Sequence, residues 1–288
     1  MTPVTRPPHH PDIPLDDRSL TDHARDARWC AAQAAFLLTA EDCGRPVEQL
    51  TARCPGTGVQ DAYRVQAALI GCRTAAGARV VGYKIGVTSQ AMQRQMRVYE
   101  PDYGVLLDDM VLPDGSALAT SGLLNPRVEA EIAVRLGRDL HTPHISVDAA
   151  RDAVAEVLLA LEVIDTRYTA DWQITLADSV ADNASCARAV VGEPVDFTSG
   201  WDLRDEHLTV DIGGRTAAAG EGRAVLGDPL RALAWVAARH SAGGGPGLRA
   251  GSLVLTGAVH ASLPLASGTT VSARVTSRTL PPVRLHAR

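Results

Sequence analysis

Three glutamates carry the strongest chemical signal in this chain. Glu129 and Glu131 lie two apart in "RVEAEIAV" (127–134), and Glu162 interrupts the apolar run "VLLALEVI" (157–164). A strand sends alternate side chains to one face, so Glu129 and Glu131 point the same way. By themselves they fit an ordinary strand whose polar face meets water. Glu162 changes the weighing, because an uncompensated charge in such a run costs on the order of several kcal/mol of desolvation. A cation is required there. Three carboxylates with no His or Cys beside them suit a hard divalent ion, Mg2+ or Mn2+, with positions left for water or substrate.

Lys84 comes next. It sits between Gly82 and Gly86 on one face of "GYKIG", and glycines in a strand mark places where a ligand approaches. A partly desolvated lysine gives up its proton more readily and can act as acid or base; the ordinary alternative is a surface lysine that snorkels. "DSVADNASCA" (178–187) reads as a polar loop. Ser185 and Cys186 invite a nucleophile reading, yet there is no G-x-S-x-G elbow and no ordered His partner, so Cys186 reads as a small buried side chain. His240 ends a helix, where positive charge is favoured, and His260 follows "LTGAV". Neither belongs to a cluster with metal-ligand spacing. His9 and His10 form an isolated pair in a Pro-rich leader.

The elements that position these residues follow from periodicity. Residues 21–41 are Ala-rich and helical, with Trp29, Ala32, Ala35 and Phe36 on one stripe. "VQDAYRVQAALIGCRTAAG" (59–77) starts a second helix, with Val59, Ala62, Tyr63, Gln66 and Ile70 to one side. "ARVVGYKIGV" (78–87) is a strand, and "SQAMQRQM" (89–96) a short helix capped by Ser89. "EPDYGVLLDDMVLPDG" (100–115) gives a loop, a short strand and a turn. "SVDAARDAVAEVLLALEVI" (146–164) opens on a Ser146 cap and keeps helical spacing through Val154, Val157, Leu158 and Leu161, straightening near 161–165. Strands are expected in "ARAVVG", "HLTVDIGG", "GSLVLTG" and "TTVSARV", and a helix in "DPLRALAWVAARH" with Pro229 in its first turn. "GGGPG" (243–247) is a flexible loop without the strand and helix context of a nucleotide site. Helices come first and strands follow without regular alternation, which favours α+β with a mixed or antiparallel sheet. The divisions are a disordered leader over 1–18, a helical part over 19–77 and a catalytic domain over 78–288.

These pieces, in order, resemble the 2-keto-4-pentenoate hydratase family of the fumarylacetoacetate hydrolase superfamily. The matching strings are "DAYRVQ", "GYKIGVTSQAMQ", "PDYG", "PRVEAEIAVRLGRDL", "LEVIDTRY", "DWQITLADSVADNASC", "VLGDPLRALAWVA" and "LRAGSLVLTGA", spread over roughly residues 55–275. The resemblance implies a β-roll with flanking helices. It implies metal ligation by Glu129, Glu131 and Glu162, with proton transfer by Lys84 and Asp102, either of which can serve as the base. It further implies substrate contacts from Ser185 and Thr256. The implied reaction adds water to a 2-hydroxy-2,4-dienoate to give a 4-hydroxy-2-oxo acid, as in the breakdown of aromatic rings after meta-cleavage. A decarboxylase of 2-oxo-3-enedioates and a repurposed non-catalytic homologue are the alternatives. A homo-oligomer, often pentamer-based, and association with a pathway decarboxylase belong to the same expectation. Three departures stand out: Arg97 where relatives carry glycine, Val259-His260 where they carry Leu-Gly, and Asp228 where they carry His.

Composition agrees with a small-molecule enzyme. The chain has 288 residues, 45% hydrophobic, with net charge −5. There is no basic stripe for nucleic acid or anionic membrane, no apolar run of about 20 residues for a membrane span, and no signal-peptide core. Five cysteines without a C-x-x-C pair argue against a disulfide framework or a zinc site, and for the reducing cytoplasm.

Overall fold

The computed structural model describes residues 25–169, 171–277 and 279–288. The proposed leader therefore lies outside the described residues. Three helices open the chain: α1 (Ala27–Cys43), α2 (Leu50–Arg53) and α3 (Val59–Ala75). Next come β1 (Val80–Gly86), α4 (Gln90–Met96), β2 (Asp102–Leu107), β3 (Val111–Pro113), β4 (Ser116–Leu118) and β5 (Arg127–Leu136). They are followed by α5 (Val147–Ala153), β6 (Val154–Ile164), α6 (Leu176–Ala181), β7 (Cys186–Val191) and β8 (Val195–Asp196). The chain finishes through β9 (His207–Ile212), β10 (Arg215–Glu221), α7 (Pro229–Ser241), β11 (Leu253–Ala258), β12 (Leu263–Pro264), β13 (Thr270–Val275) and β14 (Val283–Ala287).

The main sheet runs β2-β1-β11-β5-β6-β7-β3, with β12 on β5 and β8 on β6; a second sheet runs β10-β9-β13-β14-β4. Both are mixed: β1/β11, β3/β7 and β14/β4 are parallel and the remaining pairs antiparallel. β5 and β6 lie at the centre and are buried on both faces. Val128, Ile132 and Val134, with Val157, Leu159 and Leu161, pack toward the second sheet and α7. On the opposite face, Ala133, Leu158 and Ala160 pack with Leu37 of α1 and Val65 and Leu69 of α3. The glutamates share this second face, under the helical layer.

Four details depart from the periodicity. The 146–164 segment is helical only through Ala153, capped by the Ser146 hydroxyl accepting from Ala149, and β6 begins at Val154. A strand buried on both faces loses its alternation, so its continuous apolar run also satisfied helical spacing; the β-branched Val154, Val157, Val163 and Ile164 suit the strand. In α1 the buried stripe is Cys30, Gln33, Ala34, Leu37 and Ala40, while Ala32, Ala35 and Phe36 are exposed. Two stripes of an Ala-rich helix differ little in hydropathy, and packing on α3 selects the one holding Leu37. Phe36 lies instead under the Arg53 guanidinium, 4.5 Å from its ring centre. Within 178–187, Leu176–Ala181 is helical, set by a capping box between Thr175 and Asp178.

His240 is the fourth. It does not serve as a cation at the end of α7. Its ring packs on Tyr83 and Tyr103 at 4.1 and 4.7 Å between centres. Burial pushes its pKa down to about 4, so it stays neutral. The unfolded chain takes up a proton near pH 6.5 that the fold refuses. Stability must therefore fall as pH drops from about 6.5 toward 4, by at most about 3 kcal/mol. His240→Phe should flatten the dependence of the urea midpoint on pH in that window; an unchanged slope would remove this role.

Candidate metal centre and active site

β5 and β6 pair with Glu129 directly opposite Glu162, and Glu131 one pleat further on the same face. Oxygens from the three carboxylates lie within 4.8 Å of one another. Glu129 is 4% exposed, and Glu131 and Glu162 are 0% exposed. A solvent-facing strand is thereby excluded. Glu129 Oε1, Glu131 Oε1 and both oxygens of Glu162 accept no hydrogen bond among the described residues.

Lys84 reaches the same place from β1. Its Nζ lies 3.2 Å from Glu162 Oε1. β11 and β5 separate β1 from β6, so a flat sheet would hold the two backbones about 14 Å apart. Contact between their side chains therefore requires the sheet to curl, and the site occupies the concave face. Burial alone would push the Lys84 ammonium down. The Glu162 carboxylate, then Asp102, override it, and the net displacement is upward. The expectation that desolvation loosens this proton is thus corrected for the metal-free site, where Lys84 is an ammonium.

One lysine does not balance three carboxylates. Burial, then the Glu162 charge, pushes Glu129 up to about 8, and the same two causes push Glu131 well above the usual carboxylate range. Such a cluster, with unpaired oxygens converging, fits a hard divalent ion.

The supports are local and specific. Pairing of β11 with β5 slips between Leu255 and Ala258. At this bulge Gly257 takes φ 115°, and its N–H donates to Glu131 Oε2 at 2.6 Å. A side chain at Gly257 would collide with Thr88, so the glycine is required both by conformation and by space. His260 accepts from the Ala130 N–H through Nε2 at 3.1 Å and donates through Nδ1 to the Ala261 carbonyl at 2.7 Å. It is therefore a neutral imidazole that clamps the backbone between the two glutamates. Asp228 caps α7, accepting from Leu230 at 2.9 Å. These contacts account for two of the three departures.

Asp102 pairs with Gly86 across β1 and β2. A methyl group at Gly86 would lie 2.1 Å from Asp102 Oδ1 and 3.4 Å from Lys84 Nζ, so the missing side chain lets acid and amine come together. Asp102 Oδ2 accepts from Ser179 at 2.6 Å, while Oδ1 has no partner among the described residues. Ser185 is buried with its Oγ likewise unpaired. It closes a turn in which Asn183, Ala184 and Ser185 all take left-handed φ of 54°, 50° and 55°. Such a run costs roughly 1–2 kcal/mol per residue. Asn183 holds the turn by bonding both the N–H and the carbonyl of Val105, at 2.8 and 2.9 Å. Arg167, buried and paired with Asp182 at 3.2 Å and Glu41 at 3.3 Å, ties it to α1. Thr256 is buried and donates to the Ile132 carbonyl at 2.8 Å, whereas the buried Thr88 hydroxyl is unpaired among the described residues. Cys186 is fully buried, and its thiol is pushed well up by burial and then by Glu162, which suits an inert side chain.

Sequence reasoning passed over Ser179, Thr88, Asn183, Arg167 and the Gly257 N–H. The T-L-A-D capping box at 175–178 was a legible signal for the helix that carries Ser179. The other contacts depend on chain segments far apart in sequence.

A curled mixed sheet with a buried carboxylate cluster on its concave face defines a divalent-metal-dependent enzyme of the α+β class. Residues 80–284 match the fumarylacetoacetate (FAA) hydrolase C-terminal family. A 2-hydroxyhexa-2,4-dienoate hydratase of Comamonas testosteroni is 37% identical over 245 residues, 84% of this chain and 92% of that protein. A 2-keto-4-pentenoate hydratase of Burkholderia vietnamiensis is 40% identical over 250 residues, 87% of this chain and 95% of that protein. The structure of a 4-oxalocrotonate decarboxylase from Pseudomonas putida, complexed with magnesium and adipate, superposes with TM-score 0.86 at 32% identity, covering 93% of this chain and 100% of that one. The chain belongs to the fumarylacetoacetate hydrolase family, among the 2-keto-4-pentenoate hydratases.

Proposed function

We propose that this protein is a lyase that adds water to a 2-hydroxy-2,4-dienoate and releases a 4-hydroxy-2-oxo acid. The observation that carries the reading is the meeting of Glu129, Glu131 and Glu162 with Lys84 and Asp102 at one buried place. Hydratase relatives at 37–40% identity over most of the chain support it. The three glutamates would hold the divalent ion, Mg2+ or Mn2+. When bound, the ion supplies charge that offsets the negative charge building on the substrate 2-oxygen.

Lys84, as an ammonium, delivers a proton to C5 and is recharged by the proton that the 2-hydroxyl gives up as the dienol becomes an unsaturated ketone. Asp102, fixed through Oδ2 by Ser179, turns its free Oδ1 toward the water that adds at C4, takes its proton and returns it to C3. Ser185 hydrogen-bonds the substrate. Thr256 lies near its carboxylate, with Thr88 offering the free hydroxyl on that side. The decarboxylase resemblance favours a second reading, in which the same site drives loss of CO2 from an enedioate.

Incubation with 2-hydroxypenta-2,4-dienoate and Mg2+ should bleach the diene absorbance. A parallel incubation with 2-hydroxyhexa-2,4-dienedioate, followed for CO2, tests the second reading; CO2 release without hydration of the shorter acid would replace the first. His260→Ala frees the Ala130 N–H between two ligands, and should weaken Mg2+ binding about tenfold by calorimetry. Unchanged affinity would reduce His260 to a packing residue.

No described helix is long and apolar enough to cross a membrane. All five cysteines are free, which supports placement in the cytoplasm. A homo-oligomer, pentamer-based as in the family, and association with a pathway decarboxylase complete the proposal; sedimentation of the purified protein tests the first of these.

A further inference from the structure

A cavity of about 840 Å3 opens between the end of α4 and segment 171–176, and Arg127 lines it. Arg127 precedes Glu129 by two positions on the same face of β5, so the cavity begins about 7 Å along the strand from the carboxylate cluster. We infer that this cavity receives the far end of the substrate and selects chains that end in a second carboxylate. The inference rests on the hydratase reading for the identity of the near end.

The Arg127 guanidinium is held in place. Nε donates to the Ser262 hydroxyl at 2.7 Å and Nη2 to the Ser262 carbonyl at 2.6 Å. Ser262 is in turn gripped by Gln95 of α4, through its N–H at 2.8 Å and its hydroxyl at 2.9 Å. Among the described residues Arg127 makes no ion pair, although the Glu129 and Asp171 charges act on it from further away, and its Nη1 donates to nothing. It is thus an oriented, half-buried cation with a free donor beside the site.

Arg97, on the same cavity, occupies the left-handed position that ends α4, at φ 55°. Glycine is the ordinary residue there, and any other side chain is strained. Arg97 forms no hydrogen bond or ion pair among the described residues, so nothing in the fold repays that strain. Trp172 forms part of the opposite wall, also left-handed at φ 67°. Its Nε1 is anchored on the Asn125 carbonyl at 3.1 Å. Glu100 and Asp171 line the cavity too, and Asp171 is engaged by the Asn125 amide at 2.9 Å. The selection is therefore local to the guanidinium groups and does not come from net charge. A terminal carboxylate gains a charge-assisted hydrogen bond from Arg127, while a methyl end leaves the donor unmet.

Two saturated analogues of equal length separate the possibilities without turnover: 2-oxoadipate and 2-oxohexanoate, titrated into the Mg2+-loaded protein by calorimetry. The diacid should bind about tenfold tighter or better, the ratio one charge-assisted bond provides. Arg127→Gln should remove most of that ratio, and Arg97→Gly, which takes away the second guanidinium on the cavity, should lower it by a smaller factor; the second places glycine where the backbone already suits it, so it guards against misfolding of the first. Equal binding of the two analogues by the native protein, or a ratio unmoved in both variants, would overturn the inference. A diacid preference in a protein that hydrates no dienoate would leave the subsite standing and remove the hydratase reading.

Discussion

Glu131→Gln should abolish divalent-metal-dependent turnover while leaving the fold intact. The amide oxygen can still accept the Gly257 N–H that now reaches Glu131 at 2.6 Å, so the bulge survives. What disappears is one negative charge of a buried cluster. Metal affinity should fall by more than the roughly 10–100-fold that losing an outer-shell partner costs. The thermal behaviour gives an independent sign. Glu129 is pushed up to about 8, and Glu131 is pushed well above its usual range. The metal-free fold therefore keeps protons that the unfolded chain has released, and its stability falls as pH rises from about 4.5 to 8. Mg2+ at a hundred times its Kd should restore about 2.7 kcal/mol, a rise in Tm of roughly 4–5 °C for a chain of 288 residues. In Glu131→Gln the metal-free protein should melt higher than the native one at pH 8, and added Mg2+ should move it little. A native Tm indifferent to Mg2+, or a variant that responds equally, would dismantle the metal assignment.

Lys84→Arg is the second large effect. The guanidinium keeps a positive charge near Glu162, where Lys84 now lies at 3.2 Å, but it does not release a proton in proteins. Loss of a positioned proton donor costs about 10²–10⁴ in kcat, with Mg2+ affinity held within a few-fold. Lys84→Met differs in kind. It strips the cation from a buried carboxylate, and breaking such a pair costs about 3–5 kcal/mol. The metal-free variant should lose stability and saturating Mg2+ should return much of it, while turnover stays as low as in Lys84→Arg. Parallel losses of rate and metal affinity in Lys84→Arg would mark Lys84 as a structural counter-charge.

The outline of the site was readable because the chemistry conflicted with its surroundings. Glu162 stands in an apolar run, and no local arrangement of the chain relieves it; only a cation could, whatever the fold. The alternation of Glu129 and Glu131 put both on one face. Gly86 beside Lys84 signalled close approach, and the space it leaves belongs to Asp102. Boundaries were less legible. The segment beginning at Val154 obeyed helical spacing because both of its faces are apolar, and only its place between β5 and β7 makes it a strand.

The sequence by itself determined that Glu129 and Glu131 share a face, that Glu162 needs a cation, the α+β order of elements and the cap residues Ser89 and Ser146, since each follows from side-chain type and short-range spacing; that Lys84 belongs with the glutamates was implied only by the family resemblance. Tertiary structure alone decided the rest. Curling of the sheet brings Lys84 to Glu162 across two intervening strands. The slipped pairing at Gly257 aims an N–H at Glu131, and His260 takes the N–H of Ala130 from 130 residues away. Burial holds His240 neutral, while the Glu162 and Asp102 charges keep Lys84 protonated against its own burial. A hydrogen bond or a pKa depends on which atoms lie within a few ångströms, and that distance is set by the whole fold.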